Sequence, residues 1–221
     1  MKNTYNWKDY NKTRTQLSKR ILKYNNTNTF NFIEKGLYNH VRDIFCLGMM
    51  LLYKDKKVKK ILDYGSNLLS LSNIKNKIDT KKYYFFIFEP SSEKQIKIKK
   101  PHNITIFNNV DTLKKMEFDL INFGSCLQYL ASIKQLERIL DFSKTKVIVI
   151  THTPLTLKKK FESKQKNHKN LTQCIHNYYS LVNFFKRKKF KLIFKSINEN
   201  KYTGLIKQNK NTFSLNLIFQ K

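Results

Sequence analysis

Val58-Lys59-Lys60-Ile61-Leu62-Asp63-Tyr64-Gly65 is a short apolar run stopped by a glycine, and four runs of similar texture follow it. They occupy residues 83–90, closed by Glu89 and Pro90, then 104–107, 118–123 and 146–151. Unbroken β-rich apolar runs, rather than clean alternation, are the pattern of strands covered on both faces. Segments of helical character separate them at residues 68–78 and 133–140, the second opened by Ser132 and Gln135 in capping-box spacing. Strands alternating with helices predict an α/β fold with a parallel sheet built from right-handed crossovers. Two later runs, 190–195 and 213–219, alternate with period two across a polar connection, which predicts an antiparallel pair at a sheet edge.

Outside these runs the texture is helical or polar. Leu37, Val41, Ile44, Phe45, Leu51 and Leu52 repeat at helical spacing, and Leu181, Val182, Phe184 and Phe185 give residues 178–188 an apolar side. The first 35 residues are polar, with Trp7, Leu17, Ile21 and Leu22 available to dock short helices. The lysine-rich residues 158–169 read as a mobile loop or solvated helix. The expected organisation is an N-terminal helical extension over residues 1–55 and one domain over residues 56–221.

Composition excludes several classes. Among 221 residues the longest mainly apolar run, 44–53, is too short to cross a bilayer, which needs about 20 residues. The amino terminus has no apolar stretch of the secretory type, and the three cysteines are widely spaced, so neither a disulfide framework nor a CxxC metal site is expected. No metal is expected at His168, His176 and Cys174, whose spacing does not suit ligands. A reducing cytoplasm is the expected location. The net charge of +29 would attract polyanions, yet only five of the 44 basic residues are arginine and the lysines are spread throughout. Lysine over arginine, isoleucine over alanine and abundant asparagine are what A- and T-rich codons produce. Nucleic-acid binding is thus possible but not favoured.

Four places carry residues suited to chemistry. Asp63-Tyr64-Gly65-Ser66-Asn67 ends the first run, and open α/β sheets bind ligands at the carboxyl ends of their strands. Gly65 there permits close approach of backbone. Glu89 ends the second run, and a carboxylate offers two acceptors to the vicinal hydroxyls of a ribose. In the third place, Gly124-Ser125-Cys126-Leu127-Gln128-Tyr129-Leu130, a buried run enters a helical segment. His152 follows the fifth run, and histidine is the side chain that exchanges a proton near neutrality.

The order Leu62-Asp63-Tyr64-Gly65, then Glu89, then Ser125-Cys126-Leu127-Gln128-Tyr129-Leu130 resembles the class I S-adenosylmethionine-dependent methyltransferases. With Trp7, Arg42-Asp43 and Thr153-Pro154 in the same order, it is similar more narrowly to a bacterial methyltransferase family associated with surface-polysaccharide gene clusters. The resemblance implies a Rossmann-like three-layer sandwich with a seven-stranded, mostly parallel sheet and an antiparallel last strand at residues 214–219. It implies S-adenosylmethionine as cofactor, with Asp63, Gly65 and Ser66 at its methionine end and Glu89 on the ribose. Asn108 and Asn109 would lie near the adenine, Gly124 and Ser125 beside the sulfonium, and Gln128 and Tyr129 on the substrate side. The family's turn has two or three glycines, whereas here Gly65 is followed by Ser66, Asn67, Leu68 and Leu69.

The expected function is methyl transfer to a small molecule or sugar, possible in surface-polysaccharide biosynthesis, with His152 as general base for a hydroxyl acceptor. Two other readings stand beside it: an RNA methyltransferase, motivated by the charge, and a catalytically silent binding protein of the same fold, motivated by the glycine-poor turn.

Overall fold

The computed structural model describes residues 40–53, 57–65, 82–88, 103–166, 171–206 and 211–221, with side chains from residue 43 onward. Nine strands are present among these residues: β1 (Lys59–Tyr64), β2 (Tyr83–Phe88), β3 (Ile104–Phe107), β4 (Leu120–Gly124), β5 (Val147–Thr156), β6 (Phe161–Lys164), β7 (Thr172–Asn177), β8 (Lys191–Glu199) and β9 (Thr212–Gln220). The helices are α1 (His40–Met50), α2 (Val110–Lys114), α3 (Leu136–Ile139) and α4 (Tyr178–Arg187). Ser132 and Gln135 form the expected capping box, here at the start of a 3-10 turn leading into α3.

The spatial order β3-β2-β1-β4-β5 is parallel throughout. β9 then pairs antiparallel with both β5 and β8, so the expected edge pair is present and β8 runs parallel to the main sheet. These seven strands match the expected mostly parallel sheet with an antiparallel last strand, and β7 and β6, which the sequence reading did not place, extend it beyond β5 to nine strands. One face packs α1 through Phe45 and Met49 onto Ile61, Phe85, Val147 and Val149. The other packs Leu113, Leu136, Phe184 and Phe185 onto Leu62, Ile121, Ile148 and Phe219. Both faces are covered by apolar side chains, which is why β1, β4 and β5 read as mainly apolar runs without alternation.

Two differences from the sequence reading are informative. Residues 158–166 do not form a free loop or a helix: Phe161–Lys164 is β6, paired antiparallel with β7. Phe161 anchors it by packing on Ile175, Tyr202 and Leu205, an apolar contact that the surrounding lysines mask in the sequence. The fifth run also continues five residues beyond Thr151 to Thr156. Pro154 is tolerated there because β4 pairs only as far as Thr151 and β7 joins at Leu155, leaving a gap on that side of β5. The expected helix at residues 68–78 and the docking residues Trp7, Leu17, Ile21 and Leu22 lie outside the described residues.

Candidate functional site

In the order β3-β2-β1-β4-β5, the chain leaves β1 for β2 on one side and β4 for β5 on the other. The crevice beyond the carboxyl ends of β1 and β4 is therefore the switch point at which open α/β sheets bind ligands. Asp63 and Asn122 are direct register partners across these two strands. Both are buried, and Asn122 Nδ2 donates to Asp63 Oδ1 at 2.8 Å. Asn122 Oδ1, equally inaccessible, has no hydrogen-bond partner among the described residues.

Gly65 turns the chain out of β1 with φ 69°, a left-handed conformation that favours glycine, and its N–H donates to Phe88 O at 2.8 Å. The bend of β1 is thus tied to the residue preceding Glu89. Ser66, Glu89, Leu68 and Leu69 lie outside the described residues. Tyr64, just inside the bend, is buried between Phe88 and Phe123, and burial pushes its phenol well above the usual tyrosine range. Asn108 and Asn109 follow β3, two strands and about 10 Å across the sheet from β1. Asn109 caps α2, its Oδ1 accepting from Asp111 N at 2.7 Å.

At β4 and β5 the expected residues meet. Ser125 follows β4 with φ 53°, and Gly124 pairs with Thr151. Ser125 Oγ lies 3.0 Å from His152 Nδ1 and 2.9 Å from His152 O, while Ser125 N donates to Thr151 O. Gln128 is buried, and its Nε2 donates to Ser125 O at 2.9 Å, bracing the turn from beneath. The segment expected to be helical is a 3-10 turn, Leu127–Tyr129, and Tyr129 Oη donates to Gln165 Oε1.

His152 sits inside β5 rather than after it, at a bulge. Ile150 pairs with Leu217 and Thr153 with Leu215, so Thr151 and His152 together face Asn216. His152 has φ 47°, and its N–H, displaced from the ladder, donates to Asn216 Oδ1 at 2.9 Å. Asn216 is fully buried and its Nδ2 donates to Ser196 Oγ at 3.1 Å. On the outer side, His152 Nε2 lies 2.8 Å from Glu199 Oε1 at the end of β8. A carboxylate at Nε2 favours a proton there, and Nδ1 faces Ser125 Oγ, whose hydroxyl donates to His152 O.

Sequence reasoning missed Glu199 and Asn216. Asn216 carried a signal, since it is a polar residue within Phe213-Ser214-Leu215-Asn216-Leu217-Ile218-Phe219. Glu199 carried none: it begins a polar connection and reaches His152 only through the β8–β9–β5 pairing.

Among the described residues no helix is long and apolar enough to cross a membrane, and no group of three His, Cys, Asp or Glu side chains is placed to hold a metal ion. Cys174 and His176 are buried, and His168 lies outside the described residues. Burial pushes the Cys174 thiol up to about 11 and holds His176 down at about 4, while His176 Nε2 donates to Leu127 O at 3.0 Å.

No family model matches the chain, and no curated protein matches it in sequence. Solved structures do match in fold. An S-adenosylmethionine-dependent methyltransferase structure from Methanosarcina mazei is 14% identical and aligns over 78% of this chain and 96% of that one, with a TM-score of 0.51. The 1,6-didemethyltoxoflavin-N1-methyltransferase of Burkholderia thailandensis, with 1,6-didemethyltoxoflavin and S-adenosylhomocysteine bound, is 8% identical over 93% and 89% of the two chains, with a TM-score of 0.50. The N-terminal domain of EvdMO1, in the presence of S-adenosylhomocysteine and D-fucose, is 9% identical over 94% and 96%, with a TM-score of 0.55. The fold is the Rossmann-like fold of the S-adenosylmethionine-dependent methyltransferases.

Proposed function

We propose that this chain is an S-adenosylmethionine-dependent methyltransferase with a small-molecule acceptor. The observation that carries the reading is the arrangement at the switch point: Gly65 and Ser125 end the adjacent strands β1 and β4, where the crevice between oppositely directed crossovers opens. Neighbours of this fold crystallised with S-adenosylhomocysteine add support. The buried residues there also suit such a cofactor. Asn122 Oδ1 lacks a donor among the described residues, which fits a ligand that brings N–H groups into the crevice.

In this reading Asp63, Gly65 and Ser66 hold the methionine end, Glu89 the ribose, and Asn108 and Asn109 the adenine side. The cofactor supplies an electrophilic methyl group on a sulfonium. The protein supplies alignment and exclusion of water, with Gly124 and Ser125 forming the surface that the acceptor approaches. Gln128 keeps that surface in place through Ser125 O, and Tyr129 faces the acceptor side. A hydroxyl acceptor gives its proton to Ser125 Oγ as the serine's own proton turns from His152 O to His152 Nδ1, while Glu199 holds the ring with its other proton on Nε2.

A sugar acceptor, as in surface-polysaccharide metabolism, is the finer form of the reading. It draws on the sequence resemblance and on the sugar present with EvdMO1. Titration calorimetry with S-adenosylmethionine and S-adenosylhomocysteine, repeated on Glu89→Ala, tests the proposal. Binding to the native protein that is lost in the variant is expected; absence of binding to the native protein overturns it.

A further inference from the structure

A cleft of about 890 Å³ opens between the turn beginning at Ser132, residues 157–160 after β5, and α4. Lys134, Lys158, Lys159, Lys160 and Arg187 line it, and no acidic residue does. Five cations among thirteen lining residues is about twice the one-in-five frequency of Lys and Arg along the chain, and Arg187 is one of only five arginines. The nearby carboxylate Glu137 is paired with Lys188 at 2.7 Å and also feels Arg187 and Lys134, so one carboxylate partly offsets three cations and leaves the cleft cations in excess. Their mutual repulsion is relieved by an anion.

The cleft also has an apolar part and a fixed shape. Its apolar lining residues are Leu157, which is exposed, and Ile133 and Phe184, which are buried. Asn177 fastens the lysine turn to α4: its Nδ2 donates to Leu157 O and Lys158 O while its Oδ1 accepts from Ser180 N. His176 in the wall is held neutral by burial and so does not add to the charge. Two bonds join this wall to the segment beside Ser125: Lys160 Nζ donates to Ala131 O at 3.0 Å, and His176 Nε2 to Leu127 O. The volume falls in the range of small-ligand sites.

We infer that this cleft binds the phosphate groups of a nucleotide-sized small molecule, with the lysines and Arg187 on the phosphates and Leu157 against its apolar body. Lysine supplies mobile point charges and arginine a planar fork, the pairing that phosphate oxygens call for. As the seat of the acceptor this assignment rests on the methyltransferase reading; as a phosphate site it stands on the cleft alone.

The test is calorimetry with uridine 5′-diphosphate, inorganic pyrophosphate and a short single-stranded RNA, each at low and at physiological salt. Lys134→Gln/Lys158→Gln/Lys159→Gln is compared with Lys144→Gln/Lys191→Gln/Lys195→Gln, which removes the same charge outside the cleft lining. All six lysines are exposed, and an unchanged thermal midpoint checks folding. Uridine diphosphate is expected to bind, weakening about tenfold or more in the cleft variant and less than about twofold in the control. No binding, or equal weakening in both variants, overturns the inference. So does RNA that displaces uridine diphosphate and binds about tenfold tighter, which would make the cleft a polymer track. S-adenosylhomocysteine titrated into the same proteins separates the two readings: its binding without uridine diphosphate binding removes the cleft proposal alone, and the converse removes the methyltransferase proposal alone.

Discussion

Glu199 Oε1 lies 2.8 Å from His152 Nε2 although 47 residues separate the two in the chain. The contact crosses the strand β9, which brings the end of β8 level with the bulge in β5. If Glu199 sets the tautomer, nitrogen-15 correlation spectra of the neutral ring will show the proton on Nε2. In Glu199→Leu the two tautomers will mix, and Ser125 Oγ will no longer face a uniformly basic nitrogen. A native ring protonated mainly on Nδ1 would remove His152 as the proposed base.

The Asp63–Asn122 bond is a second target. Asn122→Leu removes a buried donor from a buried carboxylate and should cost about 2 kcal/mol or more in urea denaturation. Asp63→Leu/Asn122→Leu should cost less than the sum of the single changes, because the pair is lost together. Additive costs would show that the two side chains are not coupled.

Gly48 on α1 tests the packing on the opposite face. A Cβ there would overlap Val149 Cγ2 on β5. Gly-to-Ala inside a helix gains about 1 kcal/mol from propensity alone. Gly48→Ala should nevertheless lose about 1–3 kcal/mol by overpacking, and Gly48→Ala/Val149→Ala should recover part of that loss. A stabilised single variant would show that α1 moves aside freely.

His176 makes stability depend on pH. Burial lowers its value in the fold from 6.5 to about 4, with the bond to Leu127 O opposing in part. Above pH 6.5 both folded and unfolded chains hold it neutral. As pH falls toward 4 the unfolded chain binds a proton that the fold refuses, so stability declines by up to about 3 kcal/mol and then levels off. Urea midpoints between pH 7 and pH 4 should fall less steeply in His176→Gln than in the native protein. Parallel curves would show that His176 is accessible to protons in the fold.

The cysteines offer a simpler check. Cys46, Cys126 and Cys174 are all buried, and the Cys174 thiol is held at about 11. A thiol-specific chromogenic reagent should label the native protein slowly and release three equivalents only on denaturation. Rapid labelling of the folded protein would contradict this packing.

The alternation of strand and helix was written locally, in runs such as residues 59–64 and 120–124, because strands covered on two faces are mainly apolar without a strict alternation. The capping box at Ser132 and the edge pair β8–β9 were legible for the same reason, since each rests on residues close in sequence or on a simple period. The places of Gly65 and Ser125, each just past a strand end, could be read too, because strand ends are visible in the residues; His152 was placed after the fifth strand and lies inside it. What no local pattern carries is the partner of each. The bulge that turns His152 toward Ser125, the buried Asn216 that takes its displaced N–H, the Glu199 carboxylate behind it and the gathering of lysines beside α4 all arise from pairing across long stretches of chain. Hydrogen bonds and charge contacts depend on distances in space, and a chain folded through crossovers makes those distances independent of separation along it.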